Sequence, residues 1–431
     1  MTRTPEALTP PVESLAILVL CPHYLPDTAP TGEVMAGLCE RWIAQGHRVE
    51  IVTSLPWYST HAVDHSWRGK LVRTQPEVWG RIRRWYPFPS KKIGMWRRAV
   101  SMIGFTWLVG MDAVAASRRC DVVFVMSPPL TLGIAGQLAV LGGRAPLVFN
   151  VQDIFPDAAV LTGVLKNKQI VALVNCLERW LYRRADAVTV LSENMATNVR
   201  AKLSAGVARD KVVVIPNSVD SKRIIPQERN NWYRAELGFT ETNTASILVM
   251  YAGNLGHSQP LDLVVDAAQR FAVQGRSDIC FVINGDGVGR QRIAAAAERC
   301  PNLHLVAGWQ PRERLSEVLA AADVHLVLLH AGLGAASVPS KVYSVLAAGR
   351  PVLASVDRGS EVERLLRVSG AGVSVEPNNL DAFCEALVHM ADDPDCLRKM
   401  GEQARAYLEA MAGPEQIADQ YLGLFAQLLC K

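Results

Sequence analysis

The stretch LAILVLCPHYLPDTAPTGEVMAGLCERWIAQGHRVEIVTS (15–54) decides the fold of the first half of the chain. Residues 15–21 form a continuous apolar run that ends at Pro22, which is typical of a strand buried in a parallel sheet. The run EVMAGLCERWIAQ predicts a helix that ends at Gly46, because glycine is favoured just after a helix. A second strand, VEIVTS (49–54), follows. This order predicts an open α/β sheet, which binds its ligands at the carboxyl ends of the strands.

The same alternation of strands and helices continues along the chain in two series. Further strands of the first series are expected at 121–127, 146–152, 187–192 and 212–217. Those of the second are expected at 246–253, 278–287, 302–309, 323–329, 350–356 and 371–375. Two doubly wound α/β domains facing each other across a cleft are therefore predicted. We assign 14–217 to the first domain, 218–245 to a linker, 246–412 to the second domain, and 413–431 to a helix that packs back on the first.

The amino-acid composition excludes several classes of protein. The chain has 431 residues, too many for one hydrophobic core, and 49% of them are hydrophobic, which excludes a disordered protein. With 45 Lys and Arg against 41 Asp and Glu, the net charge of +4 argues against a protein that coats nucleic acid. The nine cysteines are scattered singly, so we expect reduced thiols in the cytoplasm and no structural zinc. Neither a signal peptide nor a membrane-spanning segment is expected.

Five motifs occur in order along the chain: PHYLPDTAPTGEVMAGLCERWIAQGHRVEIVT (22–53), VQDIFPDAAVLTG (151–163), VVVIPNSVD (212–220), YAGNLGHSQPLDLVVDAA (251–268) and VPSKVYSVLAAGRPVLA (338–354). In these motifs the chain resembles glycosyltransferase family 4, whose retaining enzymes have the GT-B fold of two Rossmann-like domains. GNLG-x-x-Q and PSK-x-Y-x-x-LA-x-GRP resemble a branch that builds bacterial surface polysaccharides and O-antigens. The resemblance implies transfer of a sugar from a nucleotide diphosphate, most simply a UDP-sugar, to a lipid-linked saccharide. It also implies front-face transfer, in which the leaving phosphate takes the acceptor's proton. A double displacement, which needs a carboxylate beside the anomeric carbon, is the alternative.

The chain departs from the family pattern at several positions. Family members carry two glutamates eight positions apart, and those positions fall on Ala336 and Ser344 here. An Arg and Lys pair of the family falls on Asn254 and Gln259 (or Pro260). Gln152 stands where relatives often have a histidine. The roles of those family residues therefore do not carry over to this chain.

Lys341 is the leading catalytic candidate. Breaking the donor's glycosidic bond places negative charge on the leaving phosphate, which a catalyst must stabilise. Lys341 follows Pro339-Ser340 at a predicted helix start, so its ammonium and free backbone N–H groups are expected to point at one spot. Ser340 and Ser344 are donor-binding candidates beside it. The alternative is a helix-start lysine that merely meets solvent.

Glycine-rich turns after the second-domain strands are the other donor-binding candidates. Gly253, Asn254 and Gln259 follow one strand, and Gly285 and Gly287 follow the next. Such turns let backbone amides approach a phosphate, although ordinary turns use the same residues. By resemblance, Trp309 lies at the edge that binds the base, and a core tryptophan is equally consistent with its position.

The first domain offers fewer candidates. Gly32, after Thr31, precedes a helix at the cleft, and we expect it near the diphosphate or the acceptor. By resemblance Asp153 lies near the transferred sugar and is the second catalytic candidate, whereas His23 is a lesser one. Each has a structural alternative, as a turn-capping carboxylate or a core histidine. No cofactor and no essential divalent cation are expected.

The segment RIRRWYPFPSKKIGMWRRAVSMIGFTWLVG (81–110) combines basic and aromatic residues. We predict that it binds an anionic membrane surface, so that the protein is peripheral on the cytoplasmic face of the inner membrane. The residues chosen for this contact are Arg83, Arg84, Trp85, Lys91, Lys92, Trp96, Arg97 and Arg98. A solvated loop leading into a core helix is the alternative. Nucleic acid is not expected, since no module that reads it is recognised.

Two other functions are compatible with the sequence. A UDP-sugar 2-epimerase uses the same architecture and needs no acceptor. A non-catalytic carbohydrate or membrane adaptor is made conceivable by the missing glutamates. Release of a free C2 epimer indicates the first, and failure to bind UDP or GDP indicates the second.

Overall fold

The computed structural model describes residues 14–58, 62–89, 95–141, 143–203, 209–239, 247–308 and 310–430, without the side chains of 95–100 and 209. The chain forms two α/β domains, each built around a mainly parallel sheet. The predicted fold class is therefore confirmed.

The first sheet has eight strands. They are β1 (Ala16–Leu20), β2 (Arg48–Ser54), β3 (Val72–Glu77), β4 (Gly80–Trp85), β5 (Val122–Ser127), β6 (Leu147–Val151), β7 (Ala187–Val190) and β8 (Val212–Val214). Their order across the sheet is β3-β4-β2-β1-β5-β6-β7-β8, and every neighbouring pair is parallel except β3 with β4. The strand order reverses between β1 and β5, so a crevice opens there at the carboxyl ends.

The β3–β4 hairpin is a feature that the sequence patterns above do not predict. β4 occupies the beginning of the basic segment and lies parallel to β2. Gly80 begins β4 with φ +154°, and a Cβ on it would lie 1.9 Å from the carbonyl oxygen of Val49. Only glycine allows the two backbones to approach so closely at this point.

The second sheet has six strands, all parallel. They are β9 (Ile247–Ala252), β10 (Ile279–Gly285), β11 (Leu303–Ala307), β12 (Val324–Leu328), β13 (Val352–Ser355) and β14 (Gly372–Val375). The order β11-β10-β9-β12-β13-β14 is the 3-2-1-4-5-6 arrangement of nucleotide-binding sheets, with its switch point between β9 and β12.

Helices cover both faces of each sheet. Those of the first domain are α1 (Pro30–Ala44), α2 (Met95–Ser117), α3 (Leu132–Leu141), α4 (Asp157–Leu161), α5 (Lys168–Arg184) and α6 (Glu193–Lys202). Those that follow are α7 (Trp232–Glu236), α8 (Asp262–Val273), α9 (Arg290–Ala297), α10 (Leu315–Ala320), α11 (Lys341–Ala347), α12 (Glu361–Ser369), α13 (Leu380–Ala391), α14 (Pro394–Ala410) and α15 (Pro414–Leu429).

The C-terminal helix α15 packs on the first domain. Trp42 of α1 donates its indole N–H to the carbonyl of Ala418 (3.2 Å), and the buried rings of Tyr421 and Phe425 lie against Phe124 of β5. On this face of the first sheet lie α1 and α15, whereas α2, α3 and α5 form the layer on the opposite face. The chain therefore crosses between the domains twice, after β8 and before α15.

Direct contacts join the two domains across the cleft. Asp153, just after β6, forms an isolated β-bridge with Ser337, and the amide of Ile154 donates to the carbonyl of Ala336 (2.8 Å). At another point of the cleft, Glu33 in the first turn of α1 forms an ion pair with Arg312. The loops at the carboxyl ends of the two sheets therefore face each other.

Candidate active site

The glycine turns after β9 and β10 interlock at the carboxyl edge of the second sheet. A Cβ on Gly285 would lie 1.9 Å from the carbonyl oxygen of Gly253, and one on Gly287 would lie 2.7 Å from that of Leu255. Both glycines have positive φ, +153° and +150°. The amide of Leu255 in turn donates to the carbonyl of Asp286 (2.9 Å). The two turns thus form one continuous backbone surface beside the switch point of the sheet.

Lys341 places its ammonium against this surface. Its Nζ lies 3.6 Å from the centroid of the Tyr251 ring, and a Cβ on Gly253 would come within 2.9 Å of it. Nζ is buried and has no hydrogen-bond acceptor, and burial lowers the pKa of Lys341 from 10.5 to about 7. The ring face of Tyr251 partly compensates a positive charge, while its hydroxyl donates to the carbonyl of Asn254 (2.7 Å). An unpaired buried ammonium is costly, and an anion placed beside it would reduce that cost.

Two amide side chains flank the same turn. A Cβ on Gly256 would lie 2.8 Å from the Asn254 side-chain nitrogen and 3.1 Å from the Gln259 side-chain oxygen. The Gln259 oxygen is buried without a hydrogen-bond partner. Asn254 and Gln259 therefore lie together at Gly256, in the same turn whose Gly253 lies against Lys341.

The segment that leads into α11 is held by a carboxylate. Asp357, after β13, accepts hydrogen bonds from the amides of Gly332 (2.8 Å) and Gly334 (2.9 Å). Ser340 is exposed immediately before α11 and makes no side-chain cap. Ser344 lies three residues after Lys341 on α11, so the two side chains share one face of the helix. The loop that precedes Lys341 is thus held at Gly332 and Gly334 by a carboxylate of its own domain.

Asp153 lies where the first domain meets this loop. Its carboxylate accepts a hydrogen bond from the Ser337 hydroxyl across the cleft. Burial raises the pKa of Asp153, and the bond from Ser337 opposes that rise. Ala336, at a position where the family has a glutamate, is buried in the same contact. Asp153 therefore binds the loop that precedes Lys341.

Gln152 belongs to a buried chain of amides instead. Its side-chain nitrogen donates to Asn150 (2.8 Å), and its oxygen accepts from Asn217 (2.7 Å). Asn150 also donates to the hydroxyl of Tyr421 (2.9 Å) in α15. These hydrogen bonds join the end of β6 to Asn217, where the polypeptide leaves the first domain, and to α15, where it returns.

The remaining first-domain candidates lie together at the start of α1. A Cβ on Gly32 would come within 3.1 Å of His23, so glycine permits this packing. His23 is buried, and its Nδ1 lies 2.7 Å from the carboxylate of Asp27. The ion pair of Glu33 with Arg312 brings this end of α1 to the loop after β11. Trp309, in that loop, lies outside the described residues.

The structure corrects the predicted membrane contact of Arg84. This side chain is 1% exposed, because in β4 it lies on the same face as the buried Ile82. Its guanidinium donates hydrogen bonds to the carbonyls of Tyr24 (3.3 Å) and Leu25 and to the side chain of Gln75 (2.8 Å). A buried guanidinium cannot reach a lipid headgroup.

Arg83 and Trp85 are also engaged within the protein. Arg83 forms an ion pair with the buried Asp112 (2.6 Å), and the Trp85 indole donates to the same carboxylate (2.8 Å). Lys91 and Lys92 lie outside the described residues, as do the side chains of Trp96, Arg97 and Arg98 at the beginning of α2.

The described residues include no cluster of three or more His, Cys, Asp or Glu side chains that could hold a metal ion. One Asp-x-Asp sequence occurs, at Asp393-Pro394-Asp395, but it begins α14. There Asp393 accepts the amide of Cys396 (2.9 Å) as a helix cap, and Asp395 pairs with Arg398. None of the helices in the described part of the chain is long and apolar enough to cross a membrane.

Comparison with known proteins agrees with this geometry. Residues 31–218 match the model of the glycosyl transferase 4-like domain, and residues 235–407 match that of the glycosyl transferases group 1. Together the two matches span most of the chain and correspond to its two domains. The chain belongs to glycosyltransferase family 4.

One relative and two solved structures illustrate the likeness. The putative colanic acid biosynthesis glycosyl transferase WcaI of Escherichia coli is 26% identical over 95% of this chain and 99% of its own. Sucrose-phosphate synthase from Thermosynechococcus elongatus has a TM-score of 0.76 at 18% identity, over 96% of this chain and 99% of its own. HepE of Anabaena, solved in complex with UDP-glucose, has a TM-score of 0.67 at 14% identity, over 96% and 100%.

This family 4 chain contains site residues that its sequence does not single out. In the sequence Tyr251 is indistinguishable from the other core residues of β9, yet in the structure its ring contacts the ammonium of Lys341. Ser337 and Arg312 contact Asp153 and Glu33 across the cleft, from loops whose positions depend on how the two domains meet. In the sequence, only the proximity of Ser337 to the PSK motif indicates that it belongs to the site.

Proposed function

We propose that the protein is a retaining glycosyltransferase that moves a sugar from a nucleotide diphosphate to a lipid-linked saccharide during the assembly of a cell-surface polysaccharide. One observation carries this proposal, namely the buried ammonium of Lys341, which lacks an acceptor at the carboxyl edge of the second sheet. A diphosphate on the turns of Gly253 and Gly285 would supply the missing negative charge. The extra charge that develops as the sugar leaves would be stabilised by the same group.

The residues present favour a mechanism without a protein nucleophile. Ala336 and Ser344 occupy the two family glutamate positions, so neither supplies a carboxylate. Asp153 accepts a hydrogen bond from Ser337. We propose that its carboxylate also accepts a hydrogen bond from a hydroxyl of the sugar or of the acceptor. We propose that the acceptor attacks from the face that the leaving group vacates, and that the leaving phosphate takes its proton. This route retains the anomeric configuration.

UDP is the proposed nucleotide, with a hexose or an N-acetylhexosamine as the sugar. The support is the fold shared with HepE, which was solved with UDP-glucose, and the similarity to WcaI, whose name places it in colanic acid synthesis. A lipid-linked acceptor would place the enzyme at the cytoplasmic face of the inner membrane. We propose that neither a cofactor nor a divalent cation is needed, since Lys341 and the turn amides provide the charge stabilisation.

A panel of nucleotide sugars tests this function through slow donor hydrolysis, which requires no knowledge of the acceptor. We expect one UDP-sugar to be hydrolysed, and we expect Lys341→Met to lose at least about a hundredfold of that rate, the equivalent of one well-aimed donor. The control is Lys399→Met, which removes an exposed lysine from α14 and should leave the rate unchanged. Release of a free C2 epimer, or failure to bind any nucleotide, would overturn the proposal.

A further inference from the structure

The helix layer formed by α2, α3 and α5 has an unusual charge distribution. Within the described parts of these helices, residues 101–117, 132–141 and 168–184, the two acidic residues are Asp112 and Glu178. Both are buried, Asp112 against Arg83 and Glu178 against Lys202 (2.8 Å). The outward surface of the layer therefore carries no acidic side chain in those ranges.

Basic side chains on this layer lack ion-pair partners. Arg179, Arg183 and Arg184 are exposed on α5, and further exposed arginines follow the ends of α2 and α3, at 118, 119 and 144. The described acidic side chains form no ion pair with any of these six. The nearby Asp121 and Asp186 instead accept the backbone amides of Ala16 (2.7 Å) and Leu147 (2.8 Å).

In the second domain the arginines on helices form ion pairs. Helical arginines there pair with acidic residues of the same or neighbouring helices: Arg292 with Asp262, Arg364 with Glu361, Arg367 with Glu363, Arg398 with Glu402 and Arg405 with Glu409. Two further arginines of the second domain, Arg299 and Arg358, are exposed outside its helices and form no ion pair with a described acidic side chain. The contrast therefore holds for the helices, where the arginines of α5 are unpaired and those of the second domain are paired. Such a one-sign surface attracts an anionic partner.

Large apolar side chains stand among these charges. Ile103, Trp107 and Met111 are spaced four residues apart on α2 and are 63%, 61% and 50% exposed. On α5, Leu173 and Trp180 are 70% and 44% exposed. Apolar and aromatic side chains with a basic surround fit the interface of a lipid bilayer, where the rings enter the headgroup layer and the arginines meet phosphates. A nucleic acid would leave Ile103 and Leu173 without a partner.

We propose that the outer face of α2, α3 and α5 docks on an anionic lipid bilayer, with Trp107 and Trp180 inserted at the interface and Arg179, Arg183 and Arg184 on lipid phosphates. Trp107 belongs to the segment 81–110 that was expected to meet a membrane, whereas Arg83 and Arg84 of that segment bond to Asp112 and to backbone carbonyls within the protein. The proposed docking is independent of sugar transfer, and its test uses neither donor nor acceptor.

Vesicle sedimentation tests the surface. The probes are vesicles of phosphatidylcholine alone and of phosphatidylcholine with about a third phosphatidylglycerol, and the wild type should sediment with the anionic ones only. Neutralising Arg179, Arg183 and Arg184 to Gln should weaken binding on the order of a hundredfold, since each basic residue near such a surface contributes a factor of about five. Replacing Trp107 and Trp180 by Ser should weaken binding even in high salt, where the electrostatic part is screened.

The matched control removes an equal charge from the second domain, with Arg364, Arg367 and Arg398 changed to Gln, and should sediment like the wild type. Circular dichroism confirms that each variant is folded. Equal loss in the control, equal binding to neutral vesicles, or binding to an RNA oligonucleotide with no binding to vesicles would overturn the proposal.

Discussion

The ammonium of Lys341 lies 3.6 Å from the ring centroid of Tyr251, with no acceptor for its protons. The free enzyme therefore bears an electrostatic cost at the point where the proposed diphosphate would bind. Sites that hold such unfavourable arrangements are common where function requires them, and this cost makes the role of Lys341 measurable without knowledge of the acceptor.

Replacing Lys341 with Met should stabilise the free protein by about 1–3 kcal/mol near neutral pH, because it removes an unpaired buried charge from an apolar surround. Urea unfolding measures this difference. A Lys341→Met protein that is less stable than the wild type at pH 6 would contradict the burial argument.

The gain from Lys341→Met should also depend on pH. The pKa of this lysine is about 7 in the folded chain and 10.5 ordinarily. Between these values the unfolded chain binds a proton that the folded chain does not, so the free energy of unfolding of the wild type rises with pH across this window. The difference between variant and wild type should accordingly be largest below pH 7 and shrink toward pH 10.

Replacing Gly285 with Ala should destabilise the protein by more than about 2 kcal/mol, because a Cβ there would lie 1.9 Å from the Gly253 carbonyl oxygen and φ is +153°. Gly275→Ala is the matched control, since that glycine also has positive φ but has no atom within 4 Å of the added Cβ. It should cost about 1 kcal/mol. Equal costs for the two variants would mean that the turns after β9 and β10 do not interlock.

Replacing Arg84 with Met should cost about 2–4 kcal/mol of unfolding free energy, because the carbonyls of Tyr24 and Leu25 lose their donor in a buried site. Arg73→Met, on the neighbouring strand β3, should cost less than about 1 kcal/mol, since Arg73 is partly exposed and stacks on Trp67. Neither variant should alter vesicle binding, and an Arg84→Met protein that is stable but released from vesicles would restore the lipid role.

The fold follows from the sequence to a large extent, because apolar runs bounded by turn residues mark buried parallel strands such as β1 and β9 without help from tertiary contacts. The burial of Arg84 was not predicted from the sequence. This arginine stands in a run of basic residues that is typical of a surface, yet within a strand it shares a face with Ile82. Recognising 80–85 as a strand would have predicted its burial.

The site was predictable only in part, for a related reason. The PSK motif indicates a lysine at a helix start, but the burial of its ammonium depends on Tyr251 of β9, which lies ninety residues away in the chain. The contact of Asp153 with Ser337 similarly depends on the approach of two domains. Spacing along the sequence carries no information on such distances.

Changing Asp153 to Asn separates two roles for this carboxylate. If it acts on a substrate hydroxyl, Asp153→Asn should lower donor hydrolysis at least about tenfold, while Ser337→Ala should have a small effect because the carboxylate is retained. Equal losses in both variants, with equal loss of stability, would mean that Asp153 serves only to join the domains. Steady-state hydrolysis and urea unfolding of the two variants give the answer.

Titration calorimetry of UDP in buffers of different ionisation enthalpy tests the central claim most directly. At pH 8 the free lysine is mostly neutral, and a diphosphate beside it should restore the charge, so wild-type binding should take up about one proton. Lys341→Met should bind UDP at least about tenfold more weakly and take up none. Tight UDP binding by Lys341→Met, or wild-type binding without proton uptake, would contradict the account.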